Sequence, residues 1–200
     1  YNLMNNKGNT PQDKHFDGIQ KMSIALQEDT NMIEIDGPGL DINKVFIDGE
    51  ETSDFTQPDI DGYFYINLAG KKRKDDTLNL EIHYTYTSKF IDIGLFFFFK
   101  GHFGDFSPPY KKWDELLQDS VTVKDSVFIP ERIAYTMSEP VMARIWMPCN
   151  DRPYDKADVS ITVKVPKEYS VASNGLLEEK VLNDDSITYY WKSYSPMTTY

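Results

Sequence analysis

The sequence of 200 residues contains a single cysteine, Cys149, and so cannot form an internal disulfide. It also lacks a long apolar run, because its most apolar stretch, Ile91 to Phe99, is interrupted by Asp92. A transmembrane helix needs about 20 apolar residues. These absences exclude a disulfide scaffold and a helical membrane span. They leave both a cytoplasmic and an exported protein open, since a chain of this length can build a core without disulfides.

Positive charge is scarce as well. The chain has 21 Lys and Arg against 32 Asp and Glu, which gives a net charge of −11. Nucleic acids and anionic membranes are bound by positively charged surfaces, so neither is expected as a partner. Hydrophobic residues make up 40% of the sequence and aromatic residues 14%. That composition supplies a packed core and excludes a globally disordered chain.

The apolar residues that are present recur mostly with a period of two. The clearest alternating segments are Leu78 to Tyr84, Val159 to Val165 and Ile187 to Trp191. Alternation of this kind is typical of strands buried on one face. Asn174-Gly175 predicts a tight hairpin turn, and only Pro109 to Leu117 predicts a short helix, with proline at its start. The pattern predicts an all-β fold, either a sandwich or paired sheets.

Two segments depart from this alternation. Residues 1–14 are polar and rich in Gly and Asn, and they predict a mobile N-terminal segment before a β domain over residues 15–200. Phe96 to Phe99 is apolar throughout. A run of this kind is typical of a strand covered on both faces, or of one in contact with something outside the chain.

Recognisable catalytic signatures are missing. The histidines His15, His83 and His102 lie far apart and form no H-E-x-x-H, so no metal site is expected in this chain. Cys149 has no histidine nearby that could act as its base. No G-x-S-x-G, P-loop or dinucleotide-binding glycine pattern occurs. The sequence therefore predicts no catalytic residue and no cofactor site in these 200 residues.

One stretch, Tyr135 to Ala157, combines charged residues with bulky apolar residues and three prolines. Pro140 restricts the preceding Glu139 to an extended backbone. The Glu139 carboxylate is therefore expected on a stiff segment of chain.

Further along the same stretch, Pro148 and Pro153 enclose a tight corner that contains Asp151. An aspartate at such a corner can accept hydrogen bonds from backbone N–H groups. Arg144 and Lys156 lie near enough in the sequence to pair with it.

The stretch resembles the N-terminal domain of the zinc aminopeptidase N family, gluzincin metallopeptidases that include leukotriene hydrolase. That domain carries a pattern similar to Q-x-E-P-x-x-A-R-x-W-x-P-C-x-D-x-P-x-x-K. The residues in register here are Glu139, Pro140, Ala143, Arg144, Trp146, Pro148, Cys149, Asp151, Pro153 and Lys156. Phe16-Asp17-Gly18 resembles an early F-x-G segment of the family. Met137 stands where many members have Gln, and the zinc-binding motifs of the family do not occur.

The resemblance implies a saddle-like arrangement of mixed and antiparallel β-sheets that covers a catalytic domain absent from this chain. In the full-length protein, Glu139 would bind the free α-amine of a peptide substrate, and Met137 would line the substrate pocket. The roles implied for Arg144, Trp146, Cys149, Asp151 and Lys156 are structural. The parent protein would be a zinc-dependent aminopeptidase with its zinc in the catalytic domain, and this chain alone would be inactive. The catalytic domain would also cover Leu95 to Phe99 and the face of Glu139.

Two other functions are compatible with the residues. One is a β-sandwich binding module for carbohydrate or protein, which would use aromatic residues such as Tyr63, Tyr65 and Phe96 to Phe99. The other is an unrelated hydrolase that uses a pair of carboxylates, which an acidic chain supplies in abundance.

Overall fold

A computed structural model describes residues 15–58, 62–87, 94–98, 102–105, 110–114, 119–123, 126–129 and 133–200. The mobile segment predicted for residues 1–14 lies outside these residues. The chain divides into two compact units, one formed by residues 1–95 and 136–200 and the other by residues 96–135.

The described residues have regular secondary structure that is almost entirely β-strand, which confirms the all-β prediction. Their one helical element is a short 3-10 turn, Ala143–Ile145. The strands are β1 (His15–Ala25), β2 (Thr30–Asp36), β3 (Asp41–Ile47), β4 (Glu50–Thr52), β5 (Tyr63–Lys72), β6 (Thr77–Thr87), β7 (Gly94–Phe98), β8 (His102–Asp105), β9 (Tyr110–Asp114), β10 (Asp119–Val123), β11 (Ser126–Ile129), β12 (Ile133–Met137), β13 (Ser160–Pro166), β14 (Leu176–Leu182) and β15 (Ser186–Lys192).

A four-stranded antiparallel sheet with the order β1-β6-β3-β4 forms the largest part of the first unit. Strand β6 is paired on both sides, and its alternation is that of a strand buried on one face. The buried residues are Leu78, Leu80, Ile82, Tyr84 and Tyr86. The predicted strand over Leu78 to Tyr84 is therefore confirmed, and it extends to Thr87.

The early F-x-G segment lies on β1, opposite two tyrosines of β6. Phe16 stacks on Tyr86 with ring centroids 5.2 Å apart and meets Tyr84 edge-on. Gly18 pairs with Tyr84 across the sheet, and a Cβ at Gly18 would overlap the Tyr84 ring. The F-x-G spacing therefore has a packing cause. Its first position supplies an aromatic ring, and its third position must lack a side chain because the Tyr84 ring fills that space.

Strands β2 and β5 form a separate antiparallel pair. Its buried apolar residues are Ile33, Ile35, Phe64, Ile66 and Leu68. Asp36 ends β2 and pairs with Tyr63 at the start of β5. This end of β2 also forms an isolated antiparallel bridge to Cys149, which brings the N-terminal half of the chain to the proline-rich corner.

A three-stranded antiparallel sheet with the order β13-β15-β14 follows the corner. Val165, Ile187 and Tyr189 form its buried cluster, as the alternation predicts. The hairpin turn predicted at Asn174-Gly175 is wrong, because the strands before and after it, β13 and β14, do not pair with each other and both pair with β15. The hairpin of this sheet is instead formed by β14 and β15. In its turn, the N–H of Asn183 donates to the carbonyl of Ser186.

Three further strand pairs are β7 with β12, β8 with β11 and β9 with β10. Of the helix predicted for Pro109 to Leu117, the structure describes Tyr110–Asp114, which is strand β9, so that prediction is wrong. A helix of nine residues is only marginally stable by itself, and pairing with Asp119–Val123 satisfies the backbone instead. Among the described residues no helix has the length and apolarity that a membrane crossing requires.

Gly175 and Gly49 allow a matched test of how β14 begins. Both have positive φ, 88° and 89°, but a Cβ at Gly175 would overlap the Lys192 carbonyl, whereas a Cβ at Gly49 meets nothing within 4 Å. Gly49→Ala should cost about 1–2 kcal/mol from the left-handed backbone alone. Gly175→Ala should cost about 1–3 kcal/mol more from the added overlap. Urea unfolding of both variants measures the difference, and equal losses would contradict the predicted overlap.

Candidate functional site

The proline-rich corner is built around the buried carboxylate of Asp151, which has 0% exposure. Its Oδ2 accepts hydrogen bonds from the backbone N–H and the Nε–H of Arg144, both at 3.2 Å. Its Oδ1 accepts one from the hydroxyl of Thr199. An unpaired buried carboxylate would be costly, so these donors and the Arg144 charge are what allow Asp151 to be charged in the interior.

A second buried carboxylate, that of Asp36, completes the arrangement. Its Oδ1 lies 2.6 Å from Nη1 of Arg144, in an ion pair without the alignment of a hydrogen bond. Its Oδ2 accepts the backbone N–H of Asp151 at 3.0 Å and lies 3.4 Å from Nη1 of Arg152. Arg144 therefore bridges two aspartates that are 115 residues apart in the sequence. We call Asp36, Arg144, Asp151 and Arg152 the corner network.

Charge is balanced within the corner network, because two carboxylates face two guanidinium groups. Both carboxylates are at least 97% buried, and both guanidinium side chains are mostly covered, with exposures of 21% and 32%. Removing one partner from such an arrangement leaves an uncompensated buried charge, which is strongly destabilising. The corner network is therefore a buried set of ion pairs that holds segments of the chain together, and it is not an open binding site.

Cys149 attaches the corner to β2 through its backbone. Its N–H donates to the Asp36 carbonyl at 3.1 Å, and its carbonyl accepts from the Asp36 N–H at 3.0 Å. Its thiol is buried, and burial raises the pKa of the Cys149 thiol far above its usual value, with the nearby negative charges of Asp151 and Asp36 adding to the rise. A thiol held in its neutral form is a poor nucleophile.

Glu139 lies on the turn that leads from β12 into the 3-10 turn, and its side chain is exposed. Its neighbour Ser138 is buried, and the Ser138 carbonyl accepts the N–H of Met142 at 2.8 Å. The hydroxyl oxygen of Ser138 accepts a hydrogen bond from Nε1 of Trp146 at 3.0 Å. Met137, two residues before Glu139, is 58% exposed. The result is a carboxylate open to solvent at the end of a segment that is fixed at its base.

The residues singled out from the sequence divide into three groups. Arg144, Asp151 and Cys149 meet in the buried corner, and Trp146 reaches Ser138 beside Glu139. Glu139 and Met137 lie on the surface. Lys156 is exposed, and among the described residues it forms no ion pair with Asp151.

The sequence reasoning missed Asp36, Ser138, Arg152 and Thr199. Asp36 had one local signal, since it directly precedes Gly37-Pro38-Gly39 at the end of an alternating strand. Its partners are distant in the sequence, so the pairing itself left no pattern. Arg152 and Ser138 lie at unspecified positions of the motif, and nothing in the sequence distinguishes Thr199 from other threonines.

The alternative of a carbohydrate- or protein-binding module needs exposed aromatic side chains. Among the residues named for it, the structure describes the side chains of Tyr63, Tyr65 and Phe96. Tyr63 and Tyr65 are half-buried in β5. In the second unit, Phe96 stacks against Tyr135 with centroids 4.9 Å apart, so one face of its ring is covered. Within the described ranges, no group of three or more His, Cys, Asp or Glu side chains could bind a metal ion.

This chain is similar to known proteins in part of its sequence and in its fold. Residues 124–200 match the family model described as the Peptidase M1 N-terminal domain. Glutamyl aminopeptidase of Rattus norvegicus is 46% identical over 70 residues, and that of Mus musculus is 41% identical over 73 residues. Each alignment covers 34% of this chain, and the chain spans only 7% of each relative's length.

The similarity of fold extends over nearly the whole chain. The M1 zinc metallopeptidase of Deinococcus radiodurans superposes with a TM-score of 0.65 over 93% of this chain and 36% of its own, at 21% identity. A mutant of the same enzyme bound to the substrate Tyr-Ser-Ala gives the same values. Together with the family match, these similarities confirm the resemblance to the N-terminal domain of zinc aminopeptidases.

The corner network should contribute strongly to the free energy of unfolding. Asp36→Asn preserves the shape of the side chain but removes a buried negative charge that faces two guanidinium groups. We expect it to lower the free energy of unfolding by about 3–5 kcal/mol. That corresponds to a fall in melting temperature of about 2–4 °C per kcal/mol for a chain of this size.

Glu51→Gln is the matched control. Oε1 of Glu51 lies 3.8 Å from Nζ of Lys44, and both side chains are more than half exposed. Exposed ion pairs of this kind contribute little to the free energy of unfolding. Thermal and urea unfolding of both variants give the comparison. A loss for Asp36→Asn no larger than that for Glu51→Gln would show that the corner network does not stabilise the fold.

The buried thiol of Cys149 gives a further prediction. Because burial raises its pKa, the folded protein should contain almost no thiolate at pH 8, and a thiol-specific reagent should label it only through unfolding. Labelling should therefore be slow without denaturant and complete within the dead time in urea. Rapid stoichiometric labelling of the folded protein at pH 8 would contradict the buried, neutral state.

Proposed function

We propose that this chain, whose residues 124–200 match the Peptidase M1 N-terminal domain, is the substrate-anchoring domain of a zinc metallo-aminopeptidase. The observation that carries the proposal is the Glu139 carboxylate, which is exposed to solvent while the residue before it is buried and hydrogen-bonded. A ligand can reach this carboxylate, and the backbone that carries it is held by the hydrogen bonds of Ser138.

The chemistry of this group suits the amino terminus of a peptide. A free α-amine is an ammonium ion at neutral pH, and a carboxylate accepts short, charge-assisted hydrogen bonds from it. Fixing the ammonium fixes the position of the first peptide bond, which restricts cleavage to the N-terminal residue and orients its carbonyl for attack. Glu139 would thus act by binding and orienting the substrate.

The remaining parts of the enzyme would lie outside this chain. A zinc ion, whose chemistry would be to polarise the scissile carbonyl and activate water, would then lie in a catalytic domain downstream. This chain alone would then be inactive, and that domain would be its intramolecular partner. The fold similarity to a metallopeptidase whose mutant was crystallised with Tyr-Ser-Ala supports the proposal.

Met137 would form part of the surface that meets the first side chain of the substrate. It lies two residues before Glu139 at the end of β12, and more than half of its side chain is exposed. A flexible thioether can adapt to apolar groups of different shape. Met137 therefore favours an apolar contact where many family members have the amide of Gln.

The proposal predicts the kinetics of Glu139→Ala in the full-length protein. Loss of a charge-assisted contact worth about 1.5–3 kcal/mol should lower kcat/KM for peptides with a free amine about ten- to hundredfold. Unfolding of the protein should change little, because Glu139 is exposed.

Glu168→Ala is the matched control, since Glu168 is also exposed and lies in the loop after β13. It should leave both kinetics and melting temperature unchanged. If Glu139→Ala lowers the melting temperature and leaves kcat/KM intact, Glu139 is structural and the anchoring role is wrong.

A further inference from the structure

The geometry points to Trp146 as a positioning residue for Glu139, acting through the hydrogen bond from its indole N–H to the hydroxyl of Ser138. This inference rests on the proposed function, because it concerns how accurately the proposed anchor is placed. Trp146 would touch no substrate atom. Its effect on the reaction would pass entirely through the segment that carries Glu139.

The first support is a contrast in burial along three consecutive residues. Ser138 is only 3% exposed, whereas Met137 before it is 58% exposed and Glu139 after it is exposed. The segment therefore has one interior attachment between two surface side chains. Contacts that hold Ser138 in place therefore also restrict the backbone position of the next residue, Glu139.

The second support is the pair of hydrogen bonds made by Ser138. Its carbonyl accepts the Met142 N–H at 2.8 Å, and its Oγ accepts the Trp146 Nε1–H at 3.0 Å. The first closes the backbone of the turn around Glu139. The second crosses that turn and ties it to a side chain eight residues further along.

The third support is that Trp146 is itself attached to the corner network. Its backbone N–H donates to the Ala143 carbonyl at 3.1 Å, at the end of the 3-10 turn. Arg144 lies within that turn and bridges Asp36 and Asp151. A continuous series of contacts therefore runs from the buried ion pairs through the 3-10 turn and the indole to the residue next to Glu139.

The consequence for binding follows from the geometry that an anchor requires. Misplacement of a reacting group by about 1 Å can cost about a hundredfold in rate. Without the indole N–H, the turn would keep its backbone hydrogen bond, so Glu139 should shift by less than about 1 Å. We therefore expect kcat/KM to fall about tenfold, which is less than the hundredfold loss for the larger displacement.

The test uses Trp146→Phe in the full-length enzyme, which keeps an aromatic ring but removes the N–H. It should lower kcat/KM for free-amine peptides about tenfold, and Ser138→Ala, which removes the acceptor, should do the same. Trp191→Phe is the matched control. Trp191 is also half-buried, and its Nε1 has no hydrogen-bond partner among the described residues, so this change should leave kcat/KM unaltered.

The decisive measurement repeats Trp146→Phe in a Glu139→Ala background. If Trp146 acts through Glu139, the second substitution should cause no further loss of kcat/KM. A full tenfold loss in that background, or no loss in the native background, would overturn the positioning role while leaving the anchor intact. If Glu139→Ala alone has no effect on kinetics, the anchor fails, and the positioning role fails with it.

Melting curves accompany each variant so that the folded fraction can be used to correct the rates. Should Trp146→Phe fail to fold, Ser138→Ala decides the question in the same double-variant comparison. A loss of rate that disappears after this correction would also overturn the inference, because it would show that Trp146 only stabilises the fold.

Discussion

The bridge that Arg144 makes between Asp36 and Asp151 is the contact on which the rest of the site depends. It joins the end of β2 to the proline-rich corner across most of the sequence, with both carboxylates buried. Such a bridge is stable only if every charge keeps its partner. Its geometry is therefore strictly specified, and it locates the turn of Glu139 relative to the β2–β5 sheet.

This buried arrangement also bears on the anchoring role proposed for the exposed Glu139 carboxylate. A surface glutamate on an unconstrained loop would bind an ammonium weakly, because it would lose conformational freedom on binding. Here the hydrogen bonds of Ser138 to Met142 and Trp146 hold the backbone of the turn that carries Glu139, so less backbone freedom would be lost on binding. Fixing the chain before the ligand arrives is the general means by which binding sites lower this cost.

Predictions from the sequence succeeded where a local pattern sufficed. The alternation of Leu78 to Tyr84 and of Val159 to Val165 located strands, because a period of two directly reflects the two faces of a sheet. They failed at Pro109 to Leu117 and at Asn174-Gly175. In both places a short local signal was overridden by pairing with another strand, which satisfies more backbone groups than a single turn does.

The sequence by itself determined the all-β class and the identity of the corner residues Arg144 and Asp151, because each depends on neighbours along the chain. Only the tertiary structure decided that Asp36 joins that corner and that Ser138 is the one buried residue between Met137 and Glu139. These relations depend on strands meeting from opposite ends of the sequence. A contact made across 115 residues leaves no periodic pattern in the sequence, because its partners share no local backbone geometry.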